Sequence, residues 1–383
     1  MRVCALQSGT SADGIDVLVV DVEDEGDVLI LRTVDWRTVP WSQDLRRSIL
    51  DVTHGAAIDA AAWCALDWRL GEAFADAVRG FGDLDLVVSH GQTVYHWVED
   101  GHARGTTQLG EPAPIAEAAG APVLSHLRHA DIAAGGEGAP LMALFDRLWL
   151  GPLAAETGES IATVNIGGIA NVQVVHPDGR VDAWDSGPGN ALLDALVERA
   201  TDGSEAYDRD GALAAAGTVL PELMRVLRAH PYFGLPAPKT TGRHEFHLGL
   251  LDDAVRSTGG AVSDADAAAT LVELTAWSIA ESLRGSGATR AIVSGGGVRN
   301  PVLMSRVAEL ARPVRITSSA AHGVDPDSRE NLMFAVLGVL SWHGIPVSLT
   351  TARSRIAGRF TAAAAPLAPP RPRQAFARLE VRR

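Results

Sequence analysis

The fold is decided by the stretch Ser8-Gly9-Thr10-Ser11-Ala12-Asp13-Gly14-Ile15-Asp16. Apolar and β-branched residues at 3–6, 15–22 and 28–39 predict three consecutive antiparallel strands, with this stretch as the first turn. The turn combines hydroxyl groups, backbone amides beside glycine and two carboxylates, so it can hold phosphate groups while a carboxylate helps to bind Mg²⁺. Taken alone, the stretch is equally consistent with an ordinary polar hairpin.

The same layout occurs a second time further along the chain. Strands are predicted at 161–166, 170–176 and 180–184, and Gly167-Gly168 forms the turn between the first two. A repeated βββ-α unit indicates internal duplication. By analogy with actin-like ATPases of the ribonuclease H-like fold, we predict a two-domain α/β protein with duplicated mixed βββαβα halves around a nucleotide cleft.

Helical and apolar patterns complete the predicted fold. Helices are predicted at 42–52, 58–81, 112–120, 140–150, 191–200, 217–229, 264–283 and 329–344, and further strands at 84–89, 122–125 and 291–294. The chain is predicted to cross between domains near the Gly-rich loop 133–138. The expected domains are residues 1–135 with 345–383, and residues 136–344.

Size, charge and cysteine content narrow the class of protein. A chain of 383 residues favours two domains with a ligand-binding cleft, and a net charge of −14 disfavours a nucleic-acid partner. Cys4 and Cys64 fall in core-like patterns, and the sequence has no apolar run of membrane-spanning length, so we expect a cytoplasmic protein without a membrane partner. We interpret the Pro/Arg-rich end at 369–383 as a solvated terminus rather than a contact for an acidic partner.

A candidate general base lies in Asp185-Ser186-Gly187-Pro188-Gly189-Asn190, which follows a predicted strand and opens a predicted helix. Backbone amides at a helix N-terminus favour negative charge. Asp185, at the predicted strand end, is positioned to take a proton from water or from a hydroxyl group. The alternative is that Asp185 only caps the helix.

A third glycine turn, Gly295-Gly296-Gly297-Val298-Arg299-Asn300, also follows a buried strand and precedes a helix that begins at Pro301. Glycine allows a nucleotide to approach the backbone closely. Together the turns favour phosphoryl transfer. A hydrolase using Ser89-His90 or Ser125-His126 is disfavoured because adjacent strand residues point to opposite faces and no G-x-S-x-G motif occurs.

Six blocks of the sequence, in order, resemble those of the anhydro-N-acetylmuramic acid kinases. They lie at 8–16, 89–93, 133–141, 165–171, 185–190 and 295–300, with shorter blocks at 210–212, 231–233 and 239–243 and at Glu330. The resemblance therefore covers nearly the whole chain. The chain departs from the family pattern at Glu111, at Ser186, around Arg128, which stands where a run of basic residues is usual, and at 351–383.

The resemblance implies ATP as the phosphoryl donor, Mg²⁺, and an amino sugar, 1,6-anhydro-N-acetylmuramic acid, as the substrate. Water would open the anhydro bond while O6 receives the phosphoryl group, giving N-acetylmuramic acid 6-phosphate and ADP in peptidoglycan recycling. Asp185 would be the base for this water, and Ser11, Arg128 and Glu330 would contact the sugar. ATP would be bound by Gly9, Thr10, Ser11, Ala12, Asp13, Gly14, Ile15 and Asp16 at its phosphates and by Gly167, Gly168, Gly296 and Gly297, with Asp13 as the Mg²⁺ ligand.

Two alternative functions stay open at this point. A kinase of another amino sugar on the same fold would phosphorylate a hydroxyl group directly, without opening a ring. A non-catalytic module would sense the sugar or ATP without turnover. The sequence also leaves the oligomeric state open, and a homodimer is one of the states that it allows.

Overall fold

The computed structural model describes residues 1–9, 11–242, 244–348 and 353–382. Thr10 of the predicted phosphate turn and Arg243 of the 239–243 block lie outside the described residues. The chain forms two compact units, unit 1 comprising Met1–Trp149 with Ser328–Arg383, and unit 2 comprising Leu150–Asp327. Within the described residues, no helix is long and apolar enough to cross a membrane.

The elements of both units are numbered along the chain. The strands are β1 (Arg2–Ser8), β2 (Gly14–Glu25), β3 (Val28–Pro40), β4 (Leu86–Glu99), β5 (His102–Leu109), β6 (Val123–Ser125), β7 (Ile161–Ile166), β8 (Ile169–Val175), β9 (Val181–Pro188), β10 (Arg290–Ser294), β11 (Arg315–Ser318), β12 (Arg359–Thr361) and β13 (Arg378–Arg382). The helices are α1 (Gln43–Thr53), α2 (Ala60–Val78), α3 (Pro112–Ala119), α4 (His129–Ala133), α5 (Met142–Thr157), α6 (Ala191–Ala200), α7 (Ala212–Ala216), α8 (Pro221–Arg228), α9 (Leu248–Thr258), α10 (Asp264–Gly285), α11 (Pro301–Leu310) and α12 (Arg329–Trp342).

Unit 1 is built on a mixed sheet in the order β12-β6-β4-β1-β2-β3-β13, with β5 paired to β4. The three opening strands are antiparallel as predicted, and β1 runs parallel to β4. Val17 and Val19 pack with helix residues such as Phe74 of α2, whereas Val88 on β4 contacts Gly338 of α12. The central strands are buried on both faces, which explains their continuous apolar sequence.

Unit 2 contains the second βββ arrangement that the sequence predicts. Its sheet has the order β11-β10-β7-β8-β9, with β7, β8 and β9 antiparallel and β10 parallel to both β7 and β11. The buried residues of the sheet and of α6 and α10, such as Val164, Leu196 and Ile279, belong to one hydrophobic core. The two predicted βββ units are therefore confirmed.

Several elements differ from their predicted bounds. The strand predicted at 84–89 continues to Glu99 and turns back as β5, so residues 89–93 lie within a strand rather than in a turn after it. The helix predicted at 217–229 begins only at Pro221. The interpretation of 369–383 as a solvated terminus is wrong for Arg378–Arg382, because β13 pairs in parallel with β3 and covers the edge of the sheet.

The helix α12 packs within unit 1, although residues 329–344 were predicted to belong to the second domain. The Asn331 side-chain amide nitrogen donates to the carbonyl oxygens of Ala5 and Asp16, each at 3.0 Å. The observed division at 149/150 and 327/328 thus differs from the predicted divisions at 135/136 and 344/345. An apolar helix pattern shows that a helix is buried but does not show which sheet it packs against.

Candidate active site

The predicted phosphate turn of unit 1 is held by neighbouring elements. The Ala12 amide donates to the Gly9 carbonyl at 3.0 Å, and the buried Ala12 has a positive φ of 52°. The same Gly9 carbonyl accepts from Gln92 of β4 at 3.1 Å, and Arg46 of α1 donates to the Ala12 carbonyl at 3.1 Å. Ser11 is half-buried in this turn. The loop conformation is therefore fixed by side chains from two other elements, as a preorganised anion site requires.

The two carboxylates that border this turn differ in their availability to a metal ion. Asp16 accepts from Gln7 at 3.0 Å and from Thr38 at 2.7 Å. The Asp13 side chain is 71% exposed and lies 3.6 Å from the guanidinium of Arg46. No three His, Cys, Asp or Glu side chains converge as a metal site among the described residues. Mg²⁺ is commonly held by one or two carboxylates together with substrate phosphates, and the accessible Asp13 fits such a partial donor set.

Arg128 and Glu330 of unit 1, expected at the sugar, lie within electrostatic reach of each other. Desolvation lowers the pKa of Arg128 to about 10, while the charge of Glu330 acts in the opposite direction. Glu330 is the second residue of α12, and although the residue is exposed, neighbouring protein groups desolvate its carboxylate. Desolvation by the surrounding protein raises its pKa, the charge of Arg128 and a hydrogen bond from Gln7 lower it, and the charge of Asp16 raises it. The structure thus brings two of the predicted sugar residues together beside the phosphate turn.

The glycine turns of unit 2 meet at one end of its sheet. The carbonyl groups of Gly167 and Gly168, between β7 and β8, accept from the amides of Asn190 at 2.8 Å and Gly189 at 2.9 Å. A side chain at Gly189 would overlap the Gly167 carbonyl. Gly189 is therefore required for the close approach of two backbone segments, and the turn at 167–168 lies against the start of α6.

The turn 295–297 packs against the same end of β7. Gly295 has a positive φ of 83°, and a side chain there would collide with Asn165. Gly297 is buried, and a side chain there would overlap Ile166, whereas Gly296 is exposed. The close packing explains the glycines at 295 and 297. Gly296 is exposed, and Gly167 and Gly168 are half-buried, so the backbone of these three glycines is accessible from solvent.

The position of Asp185 differs from the prediction. Asp185 lies inside β9, opposite Asn171 of β8, because the strand continues to Pro188. The helix that follows has Asn190 at its N-cap. The interpretation of Asp185 as the residue that caps this helix is therefore wrong.

The Asp185 carboxylate is oriented by a loop of unit 2 that is distant in the sequence. The Thr240 hydroxyl and the Thr241 backbone amide both donate to Oδ2, each at 2.9 Å. Oδ1 accepts no hydrogen bond from the described residues. Desolvation raises the pKa of Asp185, and the two donors oppose this effect. A carboxylate with one anchored oxygen, one available oxygen and an increased basicity is suited to accept a proton.

The backbone at Asp185 is held by the same loop. The Asp185 amide donates to the Lys239 carbonyl at 2.9 Å, and the Tyr232 hydroxyl donates to the Asp185 carbonyl at 2.7 Å. The Lys239 ammonium group lies 4.4 Å from the centroid of the Tyr232 ring. Reasoning from the sequence assigned no role to Thr240, Thr241 or Tyr232. The family resemblance of 231–233 and 239–243 was the available signal, but it does not show what these residues contact.

Ser125 and His126 do not point to opposite faces of a strand, as was expected for adjacent strand residues. Ser125 Oγ lies 2.9 Å from Nδ1 of His126, because His126 follows β6 with a positive φ of 56° and does not continue the strand. His90 instead contacts Arg128 and the Gly91 carbonyl. No carboxylate hydrogen bonds to His126 within the described ranges, so Ser125 and His126 do not form a Ser/His/acid triad.

Two α/β units that each open with three antiparallel strands, with glycine turns at one sheet end and an oriented carboxylate, define an actin-like phosphotransferase of the sugar-kinase class. The family model described as Anhydro-N-acetylmuramic acid kinase matches residues 1–359. The chain belongs to this family, and the resemblance seen in the sequence is confirmed.

Individual relatives agree with the family match over the full length. A protein named anhydro-N-acetylmuramic acid kinase from Streptomyces coelicolor is 47% identical over 382 residues, which cover 97% of this chain and 96% of that protein. A protein of the same name from Rhodococcus erythropolis is 42% identical over 364 residues, covering 92% and 90%. The solved structure of the activator of the 2-hydroxyisocaproyl-CoA dehydratase from Clostridium difficile, with bound ADPNP, gives a TM-score of 0.43 at 11% identity, over 88% of this chain and 94% of that one.

Proposed function

We propose that the protein is a kinase that opens 1,6-anhydro-N-acetylmuramic acid with water and transfers a phosphoryl group from ATP to O6. The products are N-acetylmuramic acid 6-phosphate and ADP, in peptidoglycan recycling. Family membership over residues 1–359 supports the substrate. The observation that carries the mechanism is the anchoring of Asp185 Oδ2 by Thr240 and Thr241, which leaves Oδ1 available.

In the proposed reaction, the oxygen of water forms a bond to the anomeric carbon as the bond from this carbon to O6 breaks. O6 forms a bond to the γ-phosphorus of ATP, and ADP leaves. The proton of the attacking water passes to Oδ1 of Asp185. The raised pKa of Asp185 favours this transfer, whereas the donors on Oδ2 keep the carboxylate ionised before it.

We assign ATP binding to the glycine turns of the two units. The phosphates would be bound by residues 9–16, and the rest of the nucleotide by Gly167, Gly168, Gly296 and Gly297, among which Gly297 acts mainly by packing. Asp13 would hold Mg²⁺ together with the phosphates. A bound Mg²⁺ neutralises charge that develops on the phosphates during transfer.

Recognition of the sugar is assigned to Ser11, Arg128 and Glu330, in agreement with the position of the last two beside the phosphate turn. Guanidinium and carboxylate groups suit the oxygen-rich substituents of an amino sugar.

A cytoplasmic location without nucleic-acid or membrane partners stays a prediction, and so does a homodimer.

The substitution Asp185→Asn tests the proposed base. We expect turnover of 1,6-anhydro-N-acetylmuramic acid to fall by about 10²- to 10⁴-fold with the fold unchanged, because a proton acceptor is lost at almost constant volume. The matched control is Asp182→Asn on the same strand, whose carboxylate hydrogen bonds to His176. This control should keep the wild-type rate. Near wild-type turnover by Asp185→Asn would refute the mechanism.

Labelled water separates this mechanism from a kinase that acts on an existing hydroxyl group. With H₂¹⁸O, ring opening places one labelled oxygen on the anomeric carbon of the product. Direct phosphorylation of a hydroxyl group incorporates no label at that carbon. ATP binding without ADP release would instead support a sensing module.

A further inference from the structure

His90 is a buried histidine of unit 1 to which the proposed mechanism gives no role. It lies in β4 and is 6% exposed. Its ring stacks on Phe334 of α12, with the ring centroids 4.6 Å apart and the planes at 28°. The stacking fixes the plane of the imidazole, so its two nitrogens point in defined directions.

Hydrogen bonding defines which nitrogen of His90 carries the proton. Nε2 lies 3.0 Å from Nε of Arg128, and Nδ1 lies 3.2 Å from the carbonyl oxygen of Gly91. A guanidinium can only donate and a carbonyl can only accept, so Nε2 is the acceptor and Nδ1 carries the hydrogen. Desolvation, followed by the charge of Arg128, holds the pKa of His90 well below its usual value, which agrees with a neutral ring.

Two nitrogens of the Arg128 guanidinium donate hydrogen bonds within unit 1. Nε donates to His90, and Nη1 donates to the Gly138 carbonyl at 2.8 Å. Asp131 in turn accepts from the Gly138 amide at 2.8 Å, which fixes the loop that supplies this carbonyl. Nη2 has no hydrogen-bond partner in the described part of the chain. The planar group is thus fixed on one side and keeps donors for a ligand on the other.

We propose that His90 is a positioning residue for sugar recognition, which acts by holding the guanidinium of Arg128 with Nη2 directed at the substrate. This proposal rests on the proposed function, in which Arg128 contacts the sugar. Without an acceptor at Nε, the guanidinium would be held only by the hydrogen bond from Nη1 to the Gly138 carbonyl, and this single bond does not fix the direction of Nη2. Loss of this acceptor would therefore weaken binding of the sugar but not of ATP.

The test compares three variants by steady-state kinetics with 1,6-anhydro-N-acetylmuramic acid and ATP. His90→Leu and His90→Asn cannot accept from Arg128 Nε at the position of Nε2, whereas the longer amide of His90→Gln can. We expect the first two to raise the KM for the sugar roughly tenfold or more, with the KM for ATP within about twofold of wild type. His90→Gln should restore most of the sugar affinity.

Ser89→Ala is the matched control, because the buried Ser89 hydroxyl on the same strand has no hydrogen-bond partner among the described residues. Its KM values should not change. An unchanged sugar KM in His90→Asn, or equal losses in His90→Gln and His90→Asn, overturns the role of His90 even if His90→Leu does not fold. Absence of turnover by the wild type overturns the proposed function as well, so the two failures are distinguished.

Discussion

The hydrogen bond from Thr240 to Asp185 allows a sharp test of how the proposed base is tuned. Thr240→Val removes the hydroxyl that donates to Oδ2 at 2.9 Å while it keeps the shape of the side chain. The Thr241 amide continues to donate to the same oxygen. The substitution therefore weakens, but does not abolish, the stabilisation of the charged carboxylate.

The direction and size of the effect follow from this geometry. Asp185 must be ionised to accept a proton, so the rate falls as the pH falls through its pKa. Removing a donor to the charged form raises this pKa further, which moves the acid limb of the kcat/KM profile to higher pH. Because Thr240 is exposed, we assign its hydrogen bond to Asp185 about 1 kcal/mol, which is below the usual value for a charged acceptor. Loss of this bond would change the acid dissociation constant of Asp185 about fivefold.

The assay is the pH dependence of kcat/KM for wild type, Thr240→Val and Thr241→Val. Thr241→Val is the matched control, because its hydroxyl donates to Glu245 and only its backbone amide reaches Asp185. We expect the acid limb to move for Thr240→Val alone, with the rate at high pH retained. An unshifted limb in Thr240→Val, or equal shifts in both variants, would refute the assignment of Asp185 as the titrating base.

Two substitutions test the packing that supports the site. Asn331→Asp replaces a buried amide that donates to carbonyl groups of β1 and β2, and the unpaired buried charge should lower the free energy of unfolding by about 3 kcal/mol in urea titrations. Ser341→Ala on the same helix, whose hydroxyl has no partner within the described residues, should change it far less. Gly189→Ala would force a methyl group onto the Gly167 carbonyl and should cost about 1 to 3 kcal/mol by the same measurement. Gly260→Ala, where a methyl group meets nothing within 4 Å, should lose less stability, and an equal loss in both glycine variants would contradict the packing argument.

Local patterns in the sequence were sufficient for much of the fold. Alternation of apolar residues predicted the opening strands, and the helix predicted at 191–200 coincides with α6. Continuous apolar runs and glycine turns also indicated the second βββ unit. These features depend on residues close together in the chain, whose spacing determines which side of an element is buried.

Long-range pairing limited the rest of the prediction. The strand β13 pairs with β3, and although Leu379 and Val381 alternate with charged residues, this five-residue pattern does not show which strand it pairs with. The extension of β4 beyond residue 89 likewise depends on its pairing with β5. Strand pairing depends on backbone groups of a distant segment, so side-chain patterns within one segment cannot reveal it.

In the candidate site too, some features depend on the local sequence and others on contacts between distant residues. The sequence by itself determined the glycine turns, the candidate base Asp185 and, through its resemblance, the kinase family, because these depend on residue types in order along the chain. Only the tertiary structure decided that Asp185 is anchored by Thr240, 55 positions away, and that Arg128 is held by His90. Hydrogen bonds require atoms within about 3 Å, and such proximity between distant residues exists only after the chain has folded.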